Sequence, residues 1–231
     1  MPTEDTQQFN IKEYKIHYDD KGQFTEEGIL MGIMNHTKLN GSGGIGEAGN
    51  FSFSGNEGSK QEVCKACYQA FRQAGASDAA AKGILANIAV ESGFDPRVIT
   101  WDGNGTRFGF GGGLCGFYRF GALPELAKDC GWSMTQVEEL DNKIRHSGLP
   151  YPTKACHPAN AKHIKNLVGG FPFSLQQQLN HLTSLPYFND IKSYTDPNQA
   201  AMMWEKKYER PAKITNRWQS HGSFVMKLLN T

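Results

Sequence analysis

Glu91 is the residue whose type and position most directly predict chemistry in this chain. It stands at the end of a predicted helix, immediately before a run of helix-breaking residues that starts at Ser92 and Gly93. A carboxyl group on a buried helical face is desolvated, and at a helix C-terminus it meets the negative end of the helix dipole, so both effects favour its neutral form. A neutral glutamic acid is the general acid that cleavage of a glycosidic bond requires. The buried face is predicted because the apolar residues Ile88, Leu85, Ile84 and Ala81 follow one another back from Glu91 at steps of three and four.

Each of the residues around Glu91 has a plainer interpretation beside the chemical one. Glu91 can be a helix-end glutamate paired with a Lys or Arg. Ser92 either orients Glu91 by hydrogen bonding or only bridges the helix end. Asp102 lies in a glycine-rich turn, where aspartate is ordinary, yet a carboxylate on a hairpin facing Glu91 is where a water-activating base is needed. Glu91 and Asp102 are therefore the candidate catalytic residues.

A second kind of chemistry is suggested by Cys115, which follows Gly113 and Leu114 in a glycine-rich segment. It has the form of a peptidase nucleophile, for which His157, His163 or His181 would be the base. Cysteine peptidases of this kind need β-strands after the nucleophile. Helices are predicted there instead, which argues against a peptidase.

Metal chemistry is not predicted, nor is any other cofactor. The Cys64 and Cys67 pair lies on a helical pattern without a second such pair, and buried thiols are the better interpretation. Cys156, His157 and His163 lack a fourth ligand at a recognisable spacing. Five cysteines are an odd number, so a fully paired disulfide framework within one chain is excluded.

The elements that must position these residues are mostly helical. Helices are predicted at about 60–74, 78–91 after a Ser77 cap, 122–130, 134–145, 175–184, from Asp196 to Pro211, and around Trp218 to Leu228. Ser133 with Gln136 and Ser174 with Gln177 form predicted capping boxes. Seven glycines between Trp101 and Gly116 predict tight turns or a β-hairpin. The predicted fold class is mainly α (α+β), with one short glycine-rich hairpin.

Composition divides the chain into three parts. Residues 1–40 alternate polar and apolar side chains and are predicted to be an N-terminal arm or attachment segment. Residues 41–59 are rich in glycine and serine and are expected to be a flexible linker. Residues 60–231 hold the helical signals and are the predicted catalytic domain, in which 146–172 resembles an insertion that borders the cleft.

Overall charge and hydropathy limit the classes of partner. The formal net charge is +1, without the basic stripe that nucleic-acid binding needs. No run of 18 or more apolar residues predicts a membrane span. The start of the sequence lacks the basic and apolar parts of a secretory signal.

Several motifs in sequence order resemble the phage tail lysozyme family, a branch of the lysozyme-like superfamily, over about residues 60–229. Two departures from its pattern are the Gly116-Phe117 pair, where members often carry Gln-Trp, and the insertion at 146–172. The motifs that carry the resemblance are Ile84 to Pro96, the turn with Phe108-Gly109, Leu175 to Leu179, and Tyr208 to Ala212.

The resemblance implies a lysozyme-like helical domain and a peptidoglycan muramidase that cleaves the β-1,4 bond between N-acetylmuramic acid and N-acetylglucosamine. Glu91 matches the catalytic glutamate, and the product chemistry stays open between hydrolysis and lytic transglycosylation. Glycan contacts are expected from Ser92, Phe108, Phe110, Phe117 and Tyr118.

The same resemblance implies a setting. The protein is expected on the virion, in the phage tail, or in the host cytoplasm before assembly, and to act on the bacterial cell wall. Its expected partners are peptidoglycan and, through residues 1–40, tail or injection-machine proteins. An inactive tail structural or wall-binding module is the alternative.

Overall fold

The computed structural model describes residues 59–104, 107–209 and 214–230. The predicted arm, the linker apart from Ser59, and the predicted helix end at Pro211 lie outside the described residues. Within them no helix combines the length and hydropathy that crossing a bilayer requires.

Helices dominate the described residues, and a small antiparallel sheet lies among them in the order β1-β2-β3. This confirms the predicted fold class. The strands are β1 (Ile99–Asn104), β2 (Arg107–Gly112) and β3 (Phe117–Tyr118). The helices are α1 (Lys60–Gln73), α2 (Asp78–Glu91), α3 (Leu123–Asp129), α4 (Met134–Arg145), α5 (Pro158–Val168), α6 (Leu175–Ser184), α7 (Pro186–Ile191), α8 (Pro197–Trp204), a π-helix (Glu205–Glu209) and α9 (Arg217–Asn230).

Serine caps start four of these helices. Ser77 accepts a hydrogen bond from the N–H of Ala80 (2.9 Å), as its predicted capping role requires. The predicted capping boxes of α4 and α6 are both present, and α1 has one as well, formed by Ser59 and Glu62. Each device satisfies backbone donors that a helix start leaves without partners.

Helix α2 is buried on most of its surface, beyond the single face that the sequence predicts. Besides the predicted apolar stripe, Gly83 and Asn87 are buried. A Cβ at Gly83 would lie only 2.7 Å from Ala200 Cβ on α8, so the two helices approach closely here. The Asn87 amide also donates to the Ala201 carbonyl (3.2 Å). Helix α2 is therefore the central helix of the fold, and Glu91 stands at its end.

The hairpin is fixed from α4. Asp141, which is buried, accepts a hydrogen bond from the N–H of Phe110 in β2 (3.0 Å). Arg145 donates to the Phe108 carbonyl (2.6 Å) and to Asp141 (3.0 Å). Strand β1 pairs with β2 in a register that sets Asp102 opposite Gly109. The position of Asp102 therefore depends on two side chains of α4.

The segment 146–172 packs against strand β1 and contains α5, a helix that the sequence analysis did not predict. Proline stands at its first position and His157 caps it, so the usual serine or aspartate cap is missing. Trp101 donates from its indole to the Pro152 carbonyl (2.8 Å), and the N–H of Cys156 donates to the Trp101 carbonyl (2.8 Å). These bonds place Cys156 beside the strand that carries Asp102.

Two further elements differ from the sequence prediction. The short helix α7 was not predicted. The helix opened by Asp196 ends at Trp204 as an α-helix and continues as the π-helix through Glu209, where a uniform helix was expected. π turns are rare in proteins, and those that do occur are often found at functional sites.

Gln178 on α6 joins three loops around the buried end of the hairpin. Its amide oxygen accepts a hydrogen bond from the N–H of Leu114 (2.7 Å). Its amide nitrogen donates to the carbonyls of Pro96 (2.8 Å) and Phe173 (2.7 Å). Because Gln178 is fully buried, no water can replace these bonds.

We expect Gln178→Ala to lower the free energy of unfolding by about 3 kcal/mol, because it leaves two buried backbone groups and a half-buried one without partners. Urea unfolding followed by tryptophan fluorescence measures the loss. Gln176→Ala is the matched control, since Gln176 lies on the same helix, is half-buried and, among the described residues, donates to Asn180. Equal losses in the two variants would contradict the assigned role of Gln178.

Candidate functional site

Ser92 closes helix α2 immediately after Glu91. Its N–H and its hydroxyl both donate to the carbonyl of Ile88, at 3.0 and 3.2 Å. These are bonds to the helix end, and they favour the bridging interpretation of Ser92 over the one in which it orients Glu91.

The chain reverses direction behind Ser92 through two left-handed residues. Gly93 has φ of +59° and Phe94 has φ of +65°. For a residue with a side chain this conformation costs about 1–2 kcal/mol. Phe94 is buried and packs against Phe224 of α9, with ring centroids 6.2 Å apart, and this packing offsets the cost. Helix α9 thus stabilises the turn that follows Glu91.

Arg217 at the start of α9 holds the carboxyl group of Glu91. Its Nη1 donates to Glu91 Oε1, and this is the hydrogen bond that the described residues make to that carboxyl group. The side chain of Glu91 is 24% exposed and that of Arg217 is 10% exposed, so Glu91 still reaches solvent. The pairing that the plainer interpretation of Glu91 predicts is therefore present.

The second oxygen of Glu91 lies against a residue without a side chain. A Cβ at Gly116 would come within 3.1 Å of Glu91 Oε2, and Gly116 adopts φ of +61°. Glycine takes this left-handed conformation without strain. The departure from the family pattern at Gly116 thus leaves Oε2 uncovered by a side chain at that position.

Two more carboxyl groups lie within electrostatic reach of Arg217. Glu205 in the π-helix is fully buried, and its Oε1 accepts from the N–H (3.1 Å) and hydroxyl (2.9 Å) of Thr215. Its Oε1 also lies 3.4 Å from Nε of Arg217. Glu209 is the other carboxyl group. Burial, and then the negative charge of Glu91, raise the pKa of Glu209 well above its usual value, although Arg217 acts in the opposite direction.

Asp102 lies in β1 and is half-buried, with Oδ1 accepting a hydrogen bond from the N–H of Gly103 (2.6 Å). The exposed residue Cys156 lies beside it. Burial of the thiol raises the pKa of Cys156, and the charges of Asp102 and Glu91 raise it further. Both carboxylates are thus within electrostatic reach of one thiol. We call the surface defined by Glu91, Asp102, Gly116 and Cys156 the candidate cleft.

The aromatic residues predicted to contact glycan differ in how deeply they are buried. Phe110 and Phe117 are completely buried and belong to the core, so neither ring is available to stack on a sugar. Phe108 and Tyr118 are half-buried. Phe120 was not among the candidates, yet it is 49% exposed and its ring lies 5.5 Å from that of Tyr118. Residue type alone did not separate core aromatics from surface ones in this glycine-rich segment.

The cysteine peptidase alternative is not supported by the structure. Cys115 is 1% exposed, and burial raises its pKa well above the usual value, whereas a nucleophilic thiol needs a lowered pKa. The three histidines have other roles: His157 accepts from the N–H of Ala159, His163 contacts Ser147, and His181 contacts Asp129.

The structure confirms the prediction that Cys64 and Cys67 are buried thiols. Both are completely buried in α1. Burial raises the pKa of Cys64 to about 12, and that of Cys67 lies well above the usual value.

Arg217, Glu205 and Phe120 are the candidate site residues that sequence reasoning missed. Arg217 stands 126 residues after Glu91, and no local pattern connects the two positions. Glu209 lies within the motif Tyr208 to Ala212, and Arg210, the residue that follows it, lies outside the described ones.

Comparison with known proteins bears on the first half of this domain. No curated protein and no solved structure matches the chain. The family model described as phage tail lysozyme matches residues 62–146, a shorter stretch than the 60–229 over which the motifs resemble it. The matched stretch contains Glu91, Asp102 and Gly116, whereas Glu205, Glu209 and Arg217 fall outside it. Over residues 62–146 the chain is thus similar to the phage tail lysozyme family, in agreement with the resemblance of its motifs.

Proposed function

We propose that this protein is a peptidoglycan-degrading glycosidase, a muramidase that cleaves the β-1,4 bond between N-acetylmuramic acid and N-acetylglucosamine. The observation that carries the proposal is the carboxyl group of Glu91, which ends a buried helix, is fixed through Oε1, faces the side-chain-free Gly116 at Oε2 and is 24% exposed. The family match includes this residue and supports a lysozyme-like role.

In this mechanism Glu91 Oε2 carries the proton. It donates that proton to the glycosidic oxygen as the bond from the muramic acid C1 to that oxygen breaks, so the leaving sugar departs as a neutral alcohol. Positive charge develops on the muramic acid ring, and the ionised Glu91 left after the transfer stabilises it. Arg217 keeps the carboxyl group in one orientation throughout, which lowers the entropic cost of the step.

The next step distinguishes two product types. Asp102 can accept a proton from a water molecule that attacks C1 from the opposite face, which gives hydrolysis with inversion when the carboxyl groups are about 6.5–9.5 Å apart. Attack by the 6-hydroxyl of the sugar gives an anhydro product instead. Asp102 and Glu91 both act electrostatically on the thiol of Cys156, and this shared neighbour supports the hydrolytic route.

Glycan binding is assigned to the half-buried rings at the hairpin. Phe108 and Tyr118, with the exposed ring of Phe120, offer apolar faces on which sugar rings can stack. The Tyr118 hydroxyl donates to the Arg107 carbonyl (3.0 Å), which fixes that ring.

The proposed setting is the phage particle. As a tail-associated lysin the protein would open the bacterial wall locally during entry, with residues 1–40 attaching it to tail or injection-machine proteins. Synthesis in the host cytoplasm would precede assembly.

A non-enzymatic wall-binding or tail structural module is the second candidate function. The observation that favours it is the ion pair between Glu91 and Arg217, because such a pair also serves to stabilise a helix end. Only the enzyme releases glycan fragments, so the two functions differ in the products of an incubation with purified peptidoglycan.

We expect Glu91→Gln to lower the rate of glycan cleavage by about 10²–10⁴-fold, because the amide keeps the shape of the side chain but delivers no proton. The release of reducing ends and anhydro ends from peptidoglycan, quantified by mass spectrometry, measures the rate. Glu138→Gln is the control, since Glu138 is exposed and pairs with Arg119, away from Glu91 in the sequence and in its contacts among the described residues. A Glu91→Gln variant as fast as wild type would refute the glycosidase proposal, and wild-type protein that binds peptidoglycan without cutting it would favour the second function.

Asp102→Asn tests the water-activating role. If Asp102 is the base, we expect strongly suppressed cleavage in the variant and reducing muramic ends in the wild-type products. Anhydro ends from wild type, or normal cleavage by the variant, would make Asp102 a turn residue and leave Glu91 as the catalytic carboxyl group. Asp95→Asn is a matched control, because the Asp95 carboxylate accepts a hydrogen bond from the N–H of Arg97 (2.8 Å) within its own turn.

The proposed domain boundary predicts that a protein truncated to residues 58–231 folds and cleaves peptidoglycan. The truncated protein must retain Ser59, because the capping box of Ser59 and Glu62 provides hydrogen-bond partners for backbone N–H groups at the start of α1. Circular dichroism and the same product assay compare the truncated and full-length proteins. Aggregation or loss of the thermal transition would show that the preceding residues belong to the core.

A further inference from the structure

Charge is distributed unevenly along this chain. The formal net charge is only +1, yet residues 142–189 contain no Asp or Glu. The end of α4, the loop that follows it and α5 therefore bring basic side chains to the surface without an acid of their own. Five exposed basic residues lie there: Lys143, Arg145, Lys154, Lys162 and Lys165. Arg145 pairs with the buried Asp141, whereas Lys154 forms no ion pair among the described residues.

Lys154 belongs to a cluster on the surface of the loop before α5. The ring of Tyr151 lies against that of His157, with centroids 3.8 Å apart. Lys154 Nζ is 5.2 Å from the centroid of the same tyrosine ring. Tyr151 is nevertheless 40% exposed, and Lys154 is exposed as well. We call these three residues the Tyr151 platform, which presents part of an aromatic side chain to solvent beside a positive charge.

The position of Tyr151 is fixed from inside the protein. Asn160 of α5 is completely buried, and its Oδ1 accepts from the N–H of Tyr151 (2.9 Å) while its Nδ2 donates to the carbonyl of Tyr151 (2.7 Å). The ring of His157 is fixed as well, because its Nδ1 accepts from the N–H of Ala159 (3.2 Å). The exposed ring is thus held in place before a ligand arrives, which lowers the entropic cost of binding to it.

The Tyr151 platform lies next to the strand that carries Asp102. The indole of Trp101 donates to the Pro152 carbonyl (2.8 Å), and the N–H of Cys156 donates to the Trp101 carbonyl (2.8 Å). The platform residues stand one or two positions along the chain from these two contacts, and Trp101 immediately precedes Asp102. A polymer that crosses the candidate cleft can therefore reach the platform at the same time.

The chemistry of the platform and of the cleft defines the ligand. Glu91 and Asp102 repel a polymer that carries carboxylates of its own, and a cation beside the cleft offsets that repulsion. Lys154 supplies the cation, and Tyr151 supplies apolar surface on which a sugar ring can pack. In peptidoglycan a sugar and carboxylates occur together at each muramic acid that bears a peptide stem, because the stem carries free carboxylates.

We propose that the Tyr151 platform is a binding site for a stem-bearing muramic acid unit of peptidoglycan, beside the candidate cleft. Tyr151 contacts the sugar, and Lys154 pairs with a carboxylate of the peptide stem. The proposal rests on the proposed function, since it takes peptidoglycan as the substrate. It gives the protein a preference for wall glycan that retains its peptides.

Lys154→Gln tests the charge. The Kd for insoluble peptidoglycan, freed of its phosphate polymers, is measured by sedimentation with full-length protein that also carries Glu91→Gln, so that the glycan stays intact. We expect binding to weaken about two- to fivefold, as for a surface ion pair, and the difference to vanish at high salt. An unchanged Kd would overturn the proposal.

Lys162→Gln is the matched control, because it removes the same charge from α5 at an exposed residue outside the platform. It should leave the Kd unchanged. Equal losses for Lys154→Gln and Lys162→Gln would show attraction by general charge and overturn the assigned site.

Tyr151→Ala tests the contact with the sugar. We expect binding to weaken roughly tenfold, as for an aromatic residue at the centre of an interface, and the loss to persist at high salt. Circular dichroism checks that the thermal transition is retained. Lys154→Gln keeps the test independent of the loop, since Lys154 Nζ makes no hydrogen bond among the described residues. Full affinity in a folded Tyr151→Ala protein would overturn the proposal.

Glycan strands from which an amidase has removed the peptides identify the carboxylate. The effect of Lys154→Gln should disappear on these strands. An equal effect on strands with and without peptides would assign the pairing to the carboxyl group of the sugar itself and overturn the assignment to the stem.

These binding measurements do not depend on cleavage, so they separate this inference from the proposed function. Platform variants that bind as tightly as their parent would refute the platform even in an enzyme that cuts peptidoglycan. Weakened binding by the variants of a protein that releases no glycan fragments would support the platform and refute the muramidase.

Discussion

The burial of one positive charge constrains the rest of this structure. Arg217 is 10% exposed, and a guanidinium in such a place is stable only when carboxylates are brought to it. The carboxylates arrive from two different elements: Glu91 at the end of α2 and Glu205 in the π-helix. The positions of α2, the π-helix and α9 are consequently linked through a single side chain.

The π-helix suits this arrangement. An α-helix that continued past Trp204 would carry each following side chain about 100° further around the axis. The wider π turn changes that rotation in the segment that holds both Glu205 and Glu209. Thr215, which follows the undescribed residues 210–213, then supplies two donors to Glu205. The departure from α-helical geometry therefore occurs in the same segment as the buried carboxyl group of Glu205.

A second set of hydrogen bonds supports the hairpin, on the other side of the candidate cleft. Asp141 and Arg145 fix the hairpin from outside, while Gln178 joins the loops at its buried end. All of these bonds go to backbone groups. The hairpin is thereby positioned by main-chain contacts in which the side chain of Asp102 takes no part.

Local signals account for what the sequence predicted well. A serine followed three residues later by glutamine defines a helix start within four residues, and so α4 and α6 begin where they were expected. The end of α2 at Glu91 followed from the spacing of apolar side chains in the same way. Helix α5 lacks such a start, because a histidine caps it, and it escaped prediction.

Contacts between distant parts of the chain account for what the sequence did not predict. The partner of Glu91 is fixed by how α9 packs on α2, which no local pattern encodes. Phe117 and Tyr118 are adjacent aromatic residues in one short strand, yet one is buried and the other is half-buried, because neighbouring strand residues face opposite sides. Glycine-rich surroundings gave no apolar alternation from which to assign those sides.

The 126-residue separation between Glu91 and Arg217 has a consequence for the order of folding. Closing a loop of that length costs more entropy than the helix caps and the hairpin, whose contacts are local. Helix α2 and its neighbours can therefore assemble before α9 docks, and Phe94 meets Phe224 at that same late stage. The acidic group that would perform the chemistry has its surroundings only in the finished protein, so a partly folded chain would carry the glutamate without a working site.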